Sequence, residues 1–443
     1  MRHHLDVIKM VAALLATAMP MAPVLAAADR SESPAELVTP SPPESPTDVL
    51  VPDALEPSTE VLVPGDGSVT EKGLMDELRE GFYWRANVIG FGTYQDLQHN
   101  SSLNPDNALR IPSYQLAANP RLDLGLNWRQ FEFGVKPRFF YLWDRWDDGA
   151  PGNQQDSRTE FYVNEWIARV RPVDELSISY GRENLQWGPS IILSSSNPFN
   201  QQNGQNNPWL EVPGLDYGRM IWIPSPEWSA SFIANTGKGR LDEKLGPQIF
   251  RLAPSNDFEK GYALKLDWTG DGKYFTVIPS YREDTGYRVG YFGGWNVTDA
   301  ILVYSEGSDG NYNGAKLQFG ASYTFEGGAT VHLEYFYNGD GCSNSKIDRC
   351  FRDGDVHFSD PFFRGNYLML QYDHRDLIDK LSINVRVLNS LDEKSAQLTS
   401  IVDYEIGENT QLFLVGNGFL GDKDTEFGSL LNYSLFSGVS YTF

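Results

Sequence analysis

Charged residues recur at alternate positions within otherwise apolar segments of this sequence, and they are the first candidates for a functional site. In a β-strand, alternate residues share one face, so the charges would lie together and the apolar residues would lie opposite. If such strands cross a membrane, an Arg or Lys side chain that faces lipid near the membrane midplane costs about 2–4 kcal/mol. We therefore expect these side chains to line the inside of a barrel; they are Arg121, Asp123, Glu132, Lys136, Arg138, Glu165, Arg169, Lys265, Asp267, Lys316, Glu334 and Arg386.

This set contains both signs, and two interpretations stay open at this point. The group from the second to the fourth predicted strand is locally basic and would attract anions or acidic sugars. Alternatively, the charges pair with one another across the lumen and serve only structure.

Catalytic signatures are the next chemistry to weigh. No histidine occurs in a Gly-x-Ser-x-Gly or His-Glu-x-x-His setting. His332 and Glu334 share a predicted strand face, but the sequence assigns them no partner across the lumen. We predict a protein that is not an enzyme and that carries no cofactor and no metal.

The most individual segment is residues 180–200, YGRENLQWGPSIILSSSNPFN, which opens a polar connection that continues to about residue 213. Its Asn, Gln and Trp residues are suited to sugar contacts through hydrogen bonds and ring stacking. The same segment is long enough to fold inward and constrict a pore. The candidate residues for either role are Arg182, Trp187, Gly188, Pro189, Ser190, Ser194, Asn197, Pro198 and Phe199.

Short pieces of this segment resemble the capsule-assembly Wzi family of outer-membrane barrels. The matching pieces are Gly181-Arg182, Trp187-Gly188-Pro189, Ile192-Leu193-Ser194 and Asn197-Pro198-Phe199. The resemblance implies an eighteen-stranded barrel that helps to assemble, anchor or export surface polysaccharide. The chain departs from that family in its long Pro-rich N-terminus. The alternative function is a passive porin for small hydrophilic solutes.

The elements that would position these residues are amphipathic strands, which recur from about residue 81 to the C-terminus. The last strand shows the pattern well, because Tyr433, Leu435, Val439, Tyr441 and Phe443 alternate with small or polar residues. A chain that ends within a strand needs a partner for its final backbone groups, and pairing of the last strand with the first supplies one. We also predict that the barrel-assembly machinery recognises the strand ending at Phe443.

The predicted strands have about ten residues each, and the connections between them alternate between short turns and polar loops of varied length, several of them long. One of these loops is predicted at residues 306–314. Eight short turns and nine loops join eighteen strands, with sixteen as the alternative count. This arrangement, with aromatic residues near strand ends, is typical of bacterial outer-membrane barrels. The predicted fold is therefore an all-β transmembrane antiparallel barrel over residues 81–443, in contact with membrane lipid and lipopolysaccharide and without a nucleic-acid partner.

The N-terminal region has a different composition. Residues 1–28 contain a basic start, an apolar run and Ala26-Ala27-Ala28, which together predict a secretory signal peptide. Residues 29–65 hold eight prolines and predict a disordered acidic linker in the periplasm, followed by a short helical segment at 66–80. Residues 29–80 contribute 13 acidic and 3 basic side chains, which is −10 of the chain's net −23.

Cys342 and Cys350 are the only cysteines, and they fall in one predicted long loop. Because exported proteins fold in an oxidising compartment, we predict a disulfide between them. It would staple the loop without taking part in chemistry.

Overall fold

The computed structural model describes residues 73–443 except 243–258, 312–313 and 359. The predicted signal peptide and Pro-rich linker lie outside the described residues. The described chain begins with helix α1 (Leu74–Gly81), which overlaps the segment predicted as helical, and a second helix, α2 (Ile347–Asp353), lies in a loop. None of the described helices has the length and apolar character needed to span a membrane.

Eighteen antiparallel strands form a single sheet that closes on itself, which confirms the predicted fold and the higher of the two strand counts. The alternation of side chains between two unlike environments explains why these segments are strands. The strands are β1 (Phe82–Leu97), β2 (Tyr114–Trp128), β3 (Phe131–Trp146), β4 (Gln154–Val173), β5 (Leu176–Glu183), β6 (Leu215–Ser225), β7 (Trp228–Gly237), β8 (Gly261–Gly270), β9 (Lys273–Arg282), β10 (Gly286–Thr298), β11 (Ile301–Gly310), β12 (Lys316–Thr324), β13 (Ala329–Asn338), β14 (Asn366–Ile378), β15 (Leu381–Ser390), β16 (Ser395–Ile406), β17 (Thr410–Leu420) and β18 (Leu431–Thr442).

The barrel closes where β18 pairs with β1, as the C-terminal pattern predicts. Tyr441 lies opposite Val88 in this pairing. The backbone N–H of Phe443, the last residue, donates to the carbonyl of Ala86 at 2.9 Å. The final strand therefore leaves no open sheet edge.

The two ends of the barrel differ in their connections. At one end, here called the turn end, eight connections have two to four residues each; the opposite end, the loop end, carries nine connections, of which seven are longer than four residues. Residues 184–214, between β5 and β6, form the longest described connection. Since the number of strands is even, β1 starts and β18 finishes at the turn end.

The outer face of the sheet is apolar. Leu116, Phe139, Leu264, Phe319 and Leu414 occupy outward positions on five different strands and are 40–55% exposed. Aromatic residues lie toward the turn end of the same face, where Trp84, Trp222 and Trp228 are more than half exposed. Such a surface is stable against lipid chains but not against water.

Two details of the predicted strands are wrong. The sequence pattern predicts a loop at Glu306, whereas this residue lies within β11 with its side chain inward and fully buried. The outward side of β11 loses its apolar alternation at Gly307, because Tyr291 and Leu317 cover that position from the neighbouring strands. Strands β1–β4 are also longer than the predicted ten residues, reaching 20 residues in β4.

Parts of four loops pack together at the loop end, and we call residues 98–113, 339–365, 391–394 and 421–430 the cap. Leu103 contacts two of its apolar clusters, one around Ile111 and Leu430 and one around Ile347 and Cys350. The Cys342–Cys350 disulfide is present in the cap and confirms the predicted pairing.

Glu426 is a buried carboxyl group in the cap. Its side chain accepts the Tyr367 hydroxyl at 2.6 Å and the Phe363 N–H at 3.0 Å. Burial raises the pKa of Glu426 from its ordinary 4.5 to about 7; these two hydrogen bonds and the positive charge of Arg364 oppose the increase, and the negative charge of Glu393 adds to it. The folded cap therefore favours the protonated acid.

We expect the contribution of Glu426 to cap stability to be fully present below pH 4.5 and to be lost as the pH rises through about 7, because the ionised carboxylate is the disfavoured form in the fold. Hydrogen exchange of residues 339–365 and 421–430 should become faster between pH 5 and pH 8.5, beyond the intrinsic increase in exchange rate. Glu426→Gln should remove this dependence. Equal corrected protection at both pH values in the wild-type protein would contradict the assignment.

Candidate functional site: a loop held inside the barrel

The connection between β5 and β6, residues 184–214, lies inside the barrel, and we call it the inner loop. Its contacts begin on β6, the strand that follows it in the chain, and on the neighbouring β7. They continue along the lumenal wall to β17 and then reach β2 and β3. A barrel of this strand number would otherwise enclose an aqueous channel. The inner loop therefore occupies the space in which a channel would run.

Two carboxylates on the wall hold the first half of the inner loop. Glu334 on β13 accepts the backbone N–H groups of Ile191 at 2.9 Å and Ile192 at 3.1 Å. Glu306 on β11 accepts the N–H groups of Ser190 at 3.3 Å and Ser196 at 2.9 Å. Both glutamates have no exposed surface. Since these buried carboxyl oxygens are the acceptors of four backbone N–H groups, this clamp fixes the path of the backbone.

Gly188 allows the loop to approach this clamp. Its φ is +90°, a conformation that residues with a side chain rarely adopt, and a Cβ there would lie 2.2 Å from the carboxylate of Glu306. Pro189 follows and is half-buried. The Ser194 hydroxyl donates to the Trp187 carbonyl at 2.7 Å, and its oxygen lies 3.2 Å from Glu306, which places the turn beside the same carboxyl group.

Asn197 organises the middle of the inner loop. It is fully buried; its amide donates to the Leu185 carbonyl at 2.8 Å and its oxygen accepts the Phe199 N–H at 3.0 Å. Phe199 packs edge-on against Trp187 and Tyr217. The Trp187 ring thus takes part in packing between the loop and the wall.

The second half of the inner loop continues along the opposite wall. Arg386 on β15 donates to the Asn206 side chain at 2.6 Å. Trp209 stacks on Phe413 of β17 with ring centroids 4.1 Å apart, and its indole N–H donates to Asp403 of β16 at 3.0 Å. From β2, Arg121 donates to the Trp209 carbonyl at 2.9 Å.

An ion pair anchors the end of the inner loop. Glu211 lies 2.7 Å from Arg138 of β3, whose guanidinium also pairs with Asp123 at 2.9 Å. Arg138 is only 3% exposed, so its guanidinium is shielded from water and salt, whereas the Asp123 side chain is partly exposed. Both halves of the loop are therefore fixed to the wall by charged groups.

Most of the predicted lumenal charges are paired with neighbours on the wall. Glu132 binds Arg169 at 2.8 Å, and Lys136 binds Glu165 at 3.2 Å. Lys265 contacts Asp267 on the wall, and Lys316 lies 3.6 Å from Asp340 of the cap. Arg182, in the candidate loop set, pairs with Asp216 at 2.8 Å. These contacts favour the interpretation in which the charges pair with one another for structure over the one in which a basic surface attracts anions.

Sequence reasoning missed several residues that hold the inner loop. They include Glu306, Gln318, Trp209 and Glu211, together with Arg288, which donates to the Ser195 carbonyl at 2.7 Å. Gln318 donates to the Leu193 carbonyl at 2.8 Å. The inward positions of Gln318 and Arg288 follow from strand alternation, so a complete list of polar inward residues would have contained them. No local pattern distinguishes Trp209 or Glu211 from other loop residues.

The apolar outer face, the closed sheet and the polar interior together decide the class of protein. The protein is an outer-membrane-type β-barrel. No family model matches the sequence, and no curated protein matches it.

Solved structures of similar architecture include two engineered variants of a porin from Rhodopseudomonas blastica. One is a triple mutant of that porin, with 11% sequence identity to this chain and a TM-score of 0.42. The other is a second mutant of the same porin, with 12% identity and a TM-score of 0.44. Each comparison covers 82% of this chain and 100% of the porin. Likeness at this level carries no conclusion about function.

Proposed function

We propose that the protein is a non-catalytic outer-membrane barrel that takes part in assembling, anchoring or exporting surface polysaccharide. The observation that carries the proposal is the inner loop, which is bound to the lumenal wall along most of the circumference of the barrel. A general diffusion pore needs an open path through the lumen. A rigidly held loop in that path favours a role other than free diffusion.

The resemblance to the capsule-assembly Wzi family supports the same proposal. The residues that carry it are structural parts of the inner loop: Gly188 approaches Glu306, Ser194 lies beside it, and Asn197 and Phe199 form the loop's packed centre. The shared residues thus concern how the lumen is occupied. A loop end facing outward would present the cap to polysaccharide at the cell surface.

A narrow channel for small hydrophilic solutes is the second candidate. It is favoured by the wall of β2–β6, where paired charges such as Glu132–Arg169 and Lys136–Glu165 provide a polar surface of balanced sign. Such a wall suits small solutes and gives weak preference between anions and cations.

Deletion of residues 190–212 separates the two candidates. We expect the wild-type protein to show little conductance in planar bilayers and the deletion variant to show large, stable conductance, because the clamp and the ion pair to Arg138 are both removed. A strain carrying the deletion should release surface polysaccharide into the medium.

A matched control is the double variant Glu132→Gln, Arg169→Gln, which changes lumenal charges away from the inner loop and should leave both readouts unchanged. Large conductance of the wild-type protein, with polysaccharide retention unaffected by the deletion, would reject the polysaccharide role in favour of the channel.

A further inference from the structure

A small cavity lies on the lumenal side of the β9–β10 hairpin at the loop end. Its volume is about 80 Å³, and Pro198 of the inner loop forms one wall. A single buried water needs roughly 10–15 Å³ on this scale. The cavity therefore has room for a group larger than one water, such as a carboxylate or a phosphate.

Arg282 has glycine on both sides in the sheet, and the cavity lies on the side of Gly286. Gly261 of β8 and Gly286 of β10 lie opposite Arg282 in the two strand pairings. Gly286 has a φ of +69°, so a residue with a side chain would be strained there. The ring of Phe199 covers the Gly261 side, where a Cβ would lie 3.1 Å from it, whereas on the Gly286 side the Arg282 side chain borders the cavity.

Two guanidinium groups border this space. Arg288 lies opposite Ser280, two positions along from the Arg282–Gly286 pair, so the two arginines are diagonal neighbours on the same face of the sheet. Arg288 is held in place, because its Nη2 donates to the Ser195 carbonyl at 2.7 Å and to the Ser308 hydroxyl. Both of these acceptors are uncharged, and they hold the guanidinium at the edge of the cavity; the carboxylates of Asp340 and Glu306 act on its charge from beyond the cavity lining.

Asp284 is the acidic group that lines the cavity. It accepts the Nε and Nη2 groups of Arg282, each at 3.1 Å. Among the contacts of described residues, the Nη1 groups of Arg282 and Arg288 have no hydrogen-bond acceptor. The residues that line the cavity thus carry two positive charges against one negative charge.

We propose that this cavity binds a single anionic group, a carboxylate or a phosphate, carried by a sugar or a similar small hydrophilic molecule. Paired guanidinium groups recognise both anions through multiple charge-assisted hydrogen bonds. Asp284 acts as an internal competitor that occupies Arg282 until the ligand arrives. The site is independent of the polysaccharide role, since it follows from the cavity and its arginines alone.

The test is calorimetric titration of the full-length protein in detergent with glucuronate, inorganic phosphate and glucose. Wild-type protein should bind at least one of the two anions and not glucose, and the comparison between the anions identifies which group the cavity prefers. Arg282→Gln should weaken binding about tenfold or more, because a charge-assisted pair is lost. Asp284→Asn should strengthen binding, because the competitor for Arg282 is removed.

Arg171→Gln is the matched control, since it removes the same charge from an exposed position beside Glu132, away from the cavity. It should leave anion binding unchanged. Binding of glucose as tight as that of the anions, an unchanged affinity in Arg282→Gln, or a weaker affinity in Asp284→Asn would each overturn the proposal. None of these results depends on whether the strain retains polysaccharide.

Discussion

Replacing both Glu306 and Glu334 by leucine should detach the first half of the inner loop and raise the conductance of the barrel several-fold. The two carboxylates accept four backbone N–H groups of the loop, those of residues 190, 191, 192 and 196. A buried N–H without a partner costs about 1–3 kcal/mol, so the four together cost on the order of 4 kcal/mol or more. The loop avoids this cost by moving into water.

Two measurements check this result. Single-channel conductance in planar bilayers reports the opening of the lumen. Chymotrypsin cleavage after Trp187, Phe199 or Trp209 reports release of the loop, because these rings are packed against the wall in the intact protein. Glu132→Leu is the control: it removes a lumenal carboxylate that binds Arg169 and Arg171 instead of the loop. A double variant that stays resistant to chymotrypsin and closed in bilayers would contradict the clamp.

Arg364→Met should loosen the cap while leaving the barrel strands intact. Arg364 is 2% exposed; its Nε donates to Glu393 at 2.7 Å and its Nη1 to the Cys342 carbonyl at 3.2 Å. Removing one partner of a buried ion pair costs about 3–5 kcal/mol, because the remaining charge stays buried without compensation. Here the remaining charge is Glu393, which also accepts the N–H of Glu426.

Hydrogen exchange should show faster exchange in residues 339–365 and 421–430 of this variant and unchanged exchange in β1–β12. Adding Glu393→Gln should recover part of the protection, since the uncompensated charge is then absent. Arg352→Met, in the same loop, should have little effect because its pair with Asp348 is largely exposed on the arginine side. Unchanged protection of the cap in Arg364→Met would show that packing alone maintains it.

The barrel could be predicted from the sequence because its determinants are local. Alternation along Tyr433, Leu435, Val439 and Tyr441 identifies a strand without reference to any other part of the chain, and membrane insertion then requires that face to point outward. The short turns are likewise recognised from residues that are adjacent in the sequence. The alternation fails at Glu306 and Gly307, and there the predicted end of the strand is wrong. The outward position of Gly307 has no apolar side chain of its own, because side chains of the two neighbouring strands cover it.

The path of the inner loop was decided only by tertiary structure. Segment 180–200 stands out by composition, but nothing within it shows that Ile191 meets Glu334, a residue 143 positions away. The Trp209 indole is within hydrogen-bond distance of Asp403 because the register of the closed barrel places β16 beside the loop. The charge pairs and the arginine cavity have the same origin, because strand register determines which side chains become neighbours, and register is fixed by long-range pairing around the whole sheet.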